Sequence, residues 1–264
     1  MSDATEITTE HDGHVAIIRF NRPDAMNTIT AVMLDQLCDH LLAADRNRDV
    51  RCIVLTGVGR AFCAGLDMNA QAAGTGLLNN PSTIAELDLR YTPPTVLHNL
   101  DTPTIAAING GAAGYGLDLA LGCDIRLAAR TAKLSVAFAK RGILPESGGT
   151  WLLPRMVGYA KAAELAFTGR TLLAEEAASY GIVNSVFDND QLMPEAMSMA
   201  HEIAANAPLA VRAIKRMMRM SETETFEQNV HHVFLQLLPL LRTKDFTEGI
   251  NAYLERRPPV FEGR

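Results

Sequence analysis

Residues 61–67 read Ala61-Phe62-Cys63-Ala64-Gly65-Leu66-Asp67, and residues 109–118 read Asn109-Gly110-Gly111-Ala112-Ala113-Gly114-Tyr115-Gly116-Leu117-Asp118. Each stretch follows an apolar run of strand character, and the second leads into a short helix-like run. Small residues let main-chain N–H groups come close to a ligand carbonyl, so the two stretches read as two halves of one oxyanion site. A third stretch, Leu144-Pro145-Glu146-Ser147-Gly148-Gly149-Thr150, sets a carboxylate in a tight turn. Amide donors for an anion, next to a base, are the equipment of enolate chemistry.

Outward from these stretches, the chain alternates. His14 to Phe20 reads as a strand, and Asn21-Arg22-Pro23-Asp24 ends it with turn residues. From Thr30, an N-cap candidate, Met33, Leu34, Leu37, Leu41 and Leu42 recur at helical spacing to about Asn47. Cys52 to Thr56 is an uninterrupted apolar strand of the buried kind. Residues 70 to 83 combine glycine, asparagine and proline with little periodicity, which predicts a mobile loop able to cover a substrate. A helix over 84–100 then precedes a strand at Thr104 to Ile108, with further strands near 124–129 and 133–137. Helices follow at 147–156, 159–167 and 174–179, with a strand at 182–187. From about residue 190 the pattern is helical only. The expectation is an α/β fold with a core over residues 1–200 and a C-terminal helical region over 201–264. The Met and Leu residues of that region read as core or subunit interface.

Composition narrows the function. With 264 residues, 48% of them hydrophobic and 20% charged, the chain can bury a full core. Its start lacks a secretory pattern, and no run approaches the ~18 apolar residues of a membrane span, which predicts a cytoplasmic protein. Cys38, Cys52, Cys63 and Cys123 have no paired spacing and read as reduced, buried thiols. A net charge of −6 argues against nucleic-acid and anionic-membrane partners. The seven histidines show no metal-ligand spacing, and the adjacent His231 and His232 point in different directions on a helix, so no metal is expected. Gly114-Tyr115-Gly116 lacks the third glycine of a dinucleotide fingerprint, and Ser147 lacks the glycine of a nucleophile elbow.

On these residues, together with Phe20-Asn21-Arg22-Pro23, Asn27 and the Glu248-Gly249-Ile250 to Arg264 ending, the chain resembles the crotonase (enoyl-CoA hydratase/isomerase) superfamily from about Val15 to Gly263. The resemblance implies a spiral of ββα turns with a C-terminal helical trimerisation region, as a homotrimer or a pair of trimers. It implies an acyl-CoA thioester substrate, with coenzyme A entering as part of that substrate and no separate cofactor. It carries the oxyanion role to the backbone N–H groups of Ala64 and Tyr115, where Tyr115 stands in place of a usual glycine. Arg22, Ala25, Ala61 and Gly65 fall at CoA- or acyl-binding positions, as do Leu66, Asp67, Gly114 and Phe138; Arg256 and Arg257 are further basic candidates. Of the hydratase glutamate pair, the first falls on Asp118 and the second on Phe138, which cannot activate water. Glu146 falls where several isomerases keep their acid, and the block Leu144 to Arg155 is similar to the epoxyphenylacetyl-CoA isomerases. The implied activity is therefore isomerisation by Glu146, with Asp118 a catalytic or water-positioning candidate. Hydration by a modified carboxylate pair is the alternative, and a non-catalytic acyl-CoA binder is the third reading.

Overall fold

The structure is a computed structural model that describes residues 5–79 and 88–264. Hairpin strands β1 (Ile7–Asp12) and β2 (Val15–Phe20) lead through a 3-10 turn, Pro23–Ala25, into helix α1 (Ala31–Arg46). Thr30 caps this helix, its hydroxyl accepting the Met33 N–H at 3.0 Å. Next come β3 (Cys52–Gly57), β4 (Ala61–Cys63), the short helix α2 (Met68–Ala72) and α3 (Pro93–Asn99). Then follow β5 (Thr104–Ile108), β6 (Gly111–Ala113), α4 (Tyr115–Gly122), β7 (Ile125–Ala129) and β8 (Lys133–Ser135). The chain continues through α5 (Gly149–Val157), α6 (Tyr159–Thr168), β9 (Thr171–Leu173), α7 (Ala174–Ser179) and β10 (Ser185–Phe187). Four helices end it: α8 (Leu192–Ala204), α9 (Pro208–Ser221), α10 (Phe226–Leu240) and α11 (Lys244–Glu255).

The strands form two sheets. The larger has the order β1-β2-β3-β5-β7-β10, the smaller β4-β6-β8-β9. Strands β2, β3, β5, β7 and β10 run parallel, with Val15 opposite Cys52 and Ile53 opposite Thr104. Each of β3, β5 and β7 is followed within a few residues by a short strand of the second sheet, so the chain climbs as a spiral of ββα turns. The five residues Cys52–Thr56 and all of β5 are buried because both sheet faces are covered, which is why these runs are apolar without alternation.

Three differences from the sequence reading have local causes. Strand β1 went unread because only Ile7 in it is fully buried; the other five positions are polar or exposed, as an edge strand allows. The helix expected over 84–100 begins at Pro93 instead, since Pro93 and Pro94 fit only a first turn, and a 3-10 turn, Leu89–Tyr91, precedes it. Its 84–87 portion lies outside the described residues. The loop expected over 70–83 contains the end of α2 and a 3-10 turn, Leu77–Asn79; its 80–83 portion also lies outside them.

Helix α8 packs on the larger sheet with Leu192, Ala196, Ala200 and Ala204 buried, so the boundary expected at residue 200 falls inside it. Beyond it, α9 lies against the core through ion pairs: Arg212 with Asp45 (3.1 Å), Lys215 with Asp124 (2.7 Å) and Arg219 with Asp101 (3.2 Å). The C-terminal tail is tied down by Asp245, whose carboxylate accepts the Glu262 and Gly263 amides at 2.7 and 2.9 Å. All four cysteines are free and buried, and burial pushes each thiol up to about 12. Among the described residues, no helix is long and apolar enough to cross a membrane and no His/Cys/Asp/Glu cluster could hold a metal.

Candidate active site

The glycine stretches meet because β4 and β6 pair in parallel and the corner after each strand turns to the same side. At two points the main chains touch so closely that a β-carbon would collide. On Gly116 it would sit 2.0 Å from the Cys63 carbonyl oxygen, and on Gly65 2.6 Å from the Ala113 oxygen. Gly65 also has φ +85°, a conformation that side chains other than glycine's adopt at a cost. That same β-carbon would lie only 3.7 Å from the Tyr115 nitrogen, which measures how near the first corner comes to the second.

Two side-chain amides hold the corner from outside. Asn27, fully buried, accepts the Arg22 N–H at 2.8 Å and donates to the Val58 and Ala61 carbonyls at 3.0 and 2.8 Å. Asn109 accepts the Gly57 N–H at 3.1 Å and donates to the Gly59 carbonyl at 2.9 Å. Side-chain amides suit this task because each carries donors and an acceptor.

One donor assignment changes. The Ala64 N–H is already given to the Met26 carbonyl at 3.1 Å, so Ala64 cannot serve as a free oxyanion donor. Two residues on, the Leu66 N–H has no acceptor among the described residues, and the same holds for Tyr115. Leu66 lies in an isolated bridge to Ile29, in which the Ile29 N–H is received by Gly65 and not by Leu66. Tyr115 is the first residue of α4, after Gly114 at φ +52°, so its amide is one of the unpaired N–H groups at a helix start. Its ring is buried, and burial followed by the nearby Glu146 carboxylate raises the phenol pKa.

The two acidic candidates differ in environment. Asp118 is only 1% exposed and accepts the Ser147 hydroxyl at 2.7 Å and the Gly149 N–H at 3.1 Å, both on Oδ2. Its Oδ1 is buried without a partner. Burial raises its pKa to about 7, against the two hydrogen bonds, with the Glu146 charge adding to the rise. Ser147 therefore binds across to α4 instead of capping α5, where Gly148 at φ +99° is the cap residue. Glu146, held at the front of this turn, is exposed toward a cavity of about 420 Å³, where it is joined by Leu89, Thr95, His98, Trp151 and Leu152. Burial by the surrounding residues raises its pKa from the usual carboxylate value. Asp118 does not line that cavity.

The remaining candidates divide. Arg22 pairs with Glu6 (3.4 Å) and Asp67 (3.5 Å) and donates to the Thr28 carbonyl, so its charge is already answered inside the chain. Asp67 caps α2 by accepting the Ala70 N–H at 3.1 Å, the first cause of its lowered pKa. Ala25 ends the 3-10 turn beside Arg22, and the Ala61 carbonyl receives the Asn27 amide. Phe138 is buried, with its ring facing Gly114 at 3.9 Å from the place of a β-carbon, and it borders a second, apolar cavity of about 410 Å³. Arg257 is paired with Glu248 and Glu255. The reading from sequence missed the Leu66 amide, His98 and Trp151; a signal for His98 was present in Thr92, Thr95 and His98, spaced three apart.

Comparison with known proteins adds an independent line. Residues 10–264 match the family described as enoyl-CoA hydratase/isomerase. The chain is 38% identical over 255 residues to the 1,2-epoxyphenylacetyl-CoA isomerase of Escherichia coli K12, covering 95% of each chain. It is 36% identical to the (E)-benzylidenesuccinyl-CoA hydratase of Thauera aromatica, covering 97% of this chain and 99% of that one. Among solved structures, the enoyl-CoA hydratase of Bacillus anthracis superposes with a TM-score of 0.91 at 33% identity, covering 98% of this chain and all of that one.

Proposed function

The chain belongs to the enoyl-CoA hydratase/isomerase family, and from that premise we propose that it isomerises an unsaturated acyl-CoA thioester by moving one proton on Glu146. The observation that carries the reading is the pair of unclaimed amides, Leu66 and Tyr115, on touching corners, with the Glu146 carboxylate close enough to the Tyr115 ring to raise its phenol pKa. In this scheme the thioester oxygen accepts both amides. Glu146 takes a proton from the α-carbon, the electron pair moves onto the oxygen as an enolate conjugated with the β,γ double bond, and the acid returns the proton to the γ-carbon. No atoms are gained or lost, and nothing beyond the coenzyme A portion of the substrate is required. A raised pKa makes Glu146 a stronger base, and each oxyanion donor lowers the barrier by about 3 kcal/mol.

Single-carboxylate chemistry is supported by Asp118 being turned inward onto Ser147 and Gly149. Hydration by Glu146 and Asp118 together is the second reading, favoured by the unpartnered Oδ1 of Asp118. Exposed apolar residues on α10 and α11, including Phe234, Leu237, Leu238, Ile250 and Tyr253, support the homotrimer, or pair of trimers, as the working assembly.

The test is a panel of β,γ-enoyl, α,β-enoyl and aromatic epoxide CoA esters with the wild type, Glu146→Gln and Asp118→Asn. Isomerase activity that falls by about 10²-fold or more in Glu146→Gln but survives in Asp118→Asn fits the proposal. Hydration that survives Glu146→Gln and is lost in Asp118→Asn overturns it, and CoA-ester binding without any turnover points to the non-catalytic reading.

A further inference from the structure

The cavity that Glu146 faces has one wall whose chemistry the proton shuttle does not use. Helix α3 and its cap residue turn Thr92, Thr95 and His98 toward it, three positions spaced i, i+3, i+6 along one helix face. A helix wall facing a simple hydrocarbon chain would carry Leu or Val at such positions. Trp151 and Leu152 also line it, and the Trp151 and His98 rings meet edge-to-face at 5.4 Å between centroids.

Hydrogen bonding on that wall is incomplete. The Thr92 hydroxyl lies 3.2 Å from both the Leu89 carbonyl and the Thr95 hydroxyl, so its proton is used within the chain. The Thr95 hydroxyl proton and both ring nitrogens of His98 find no partner among the described residues. Burial lowers the His98 pKa, with Arg219 and Lys215 of α9 acting in the same direction and Glu222 against them. Those two cations are committed to Asp101 and Asp124, and among the described residues no Lys or Arg lines the cavity. The imidazole is thus neutral at pH 7 and presents one N–H donor and one lone pair, the complement of a hydroxyl or carbonyl oxygen and not of a carboxylate.

We infer that His98, with Thr95, is a specificity-determining residue that hydrogen-bonds a hydroxyl or keto oxygen at the far end of the acyl group, whose flat or apolar body lies against Trp151. This rests on the acyl-CoA reading above and narrows it to thioesters of oxygenated acyl chains. A volume of about 420 Å³ is within the range of small-molecule sites.

Affinities of the full-length protein for two matched pairs test it: hexanoyl-CoA against 6-hydroxyhexanoyl-CoA, and cinnamoyl-CoA against 4-hydroxycinnamoyl-CoA, by calorimetric titration. In the wild type the hydroxylated member of at least one pair binds about tenfold more tightly, the worth of one net hydrogen bond. His98→Phe brings that ratio to about one. His98→Gln, whose amide keeps a donor and an acceptor, retains the preference. Equal affinities within both pairs in the wild type, or a preference that persists in the combined His98→Phe/Thr95→Val variant, overturns the inference. Failure of every CoA ester to bind overturns instead the acyl-CoA reading on which it rests.

Discussion

Asp118→Asn is expected to change how stability depends on pH, and the structure sets both sign and size. The wild-type carboxyl is buried with one oxygen unpartnered, and its pKa rises from 3.8 to about 7 on folding. A pKa raised in the folded state means that the fold favours the protonated form. The associated stability is fully present below pH 3.8, is drained as pH rises, and is gone above about pH 7. Between those two values each pH unit removes about 1.4 kcal/mol, which amounts to about 4 kcal/mol in all. Asparagine keeps an oxygen for Ser147 and Gly149 but carries no titrating charge. The assay is urea unfolding of both proteins from about pH 5 to 8.5 at one fixed protomer concentration, because assembly would otherwise shift the midpoints. Titrating groups other than Glu146, whose charge couples to that of Asp118, cancel in the difference between the two curves. Wild type should lose ground to Asp118→Asn steadily up to about pH 7 and then level off. A flat difference across that range would refute the burial argument.

Four further outcomes follow from the same geometry. Gly116→Ala should abolish the close approach of α4 to Cys63, costing about 2 kcal/mol or more of stability by overpacking and most of the activity; thermal melts and turnover check it. Asn27→Ala leaves the Ala61 carbonyl and the Arg22 amide short of a partner, and about 2 kcal/mol should be lost in urea unfolding. Removing residues 261–264 strips Asp245 of two amide partners and Arg51 of the Phe261 carbonyl, so hydrogen exchange should rise at the start of α11 before it rises in the sheet. Phe234→Glu together with Leu238→Glu should shift sedimentation velocity toward a monomer, and an unchanged sedimentation coefficient would count against α10 as an interface.

What was legible in the sequence was what burial dictates. Cys52 to Thr56 and Thr104 to Ile108 announce themselves as strands because covered sheet faces admit only apolar or hydrogen-bonded residues, and the helix after Thr30 shows both its cap and its period. The meeting of the two glycine stretches was readable because only glycine tolerates the contacts at positions 65 and 116. Less could be said where a partner comes from far along the chain. Nothing in Ala61-to-Asp67 reveals that Met26, from a turn some forty residues earlier, takes the Ala64 amide and leaves Leu66 as the free donor. In the same way Asp118 reads as a catalytic or water-positioning candidate, and nothing around it in the sequence reveals that its carboxylate accepts the Ser147 hydroxyl and the Gly149 amide. The start of α3 was hidden by apolar spacing that continued across two prolines.

The contacts of Gly65 and Gly116 join backbone to backbone, which separates grip from chemistry. The amides that would hold the oxygen are fixed by strand pairing and by atoms common to all residues. The groups that would decide which proton moves, and on what molecule, project from positions 98, 146 and 151 on other elements. On the proposed reading, substitutions at those three positions would alter chemistry and selectivity while leaving untouched the backbone contacts that hold the two corners together.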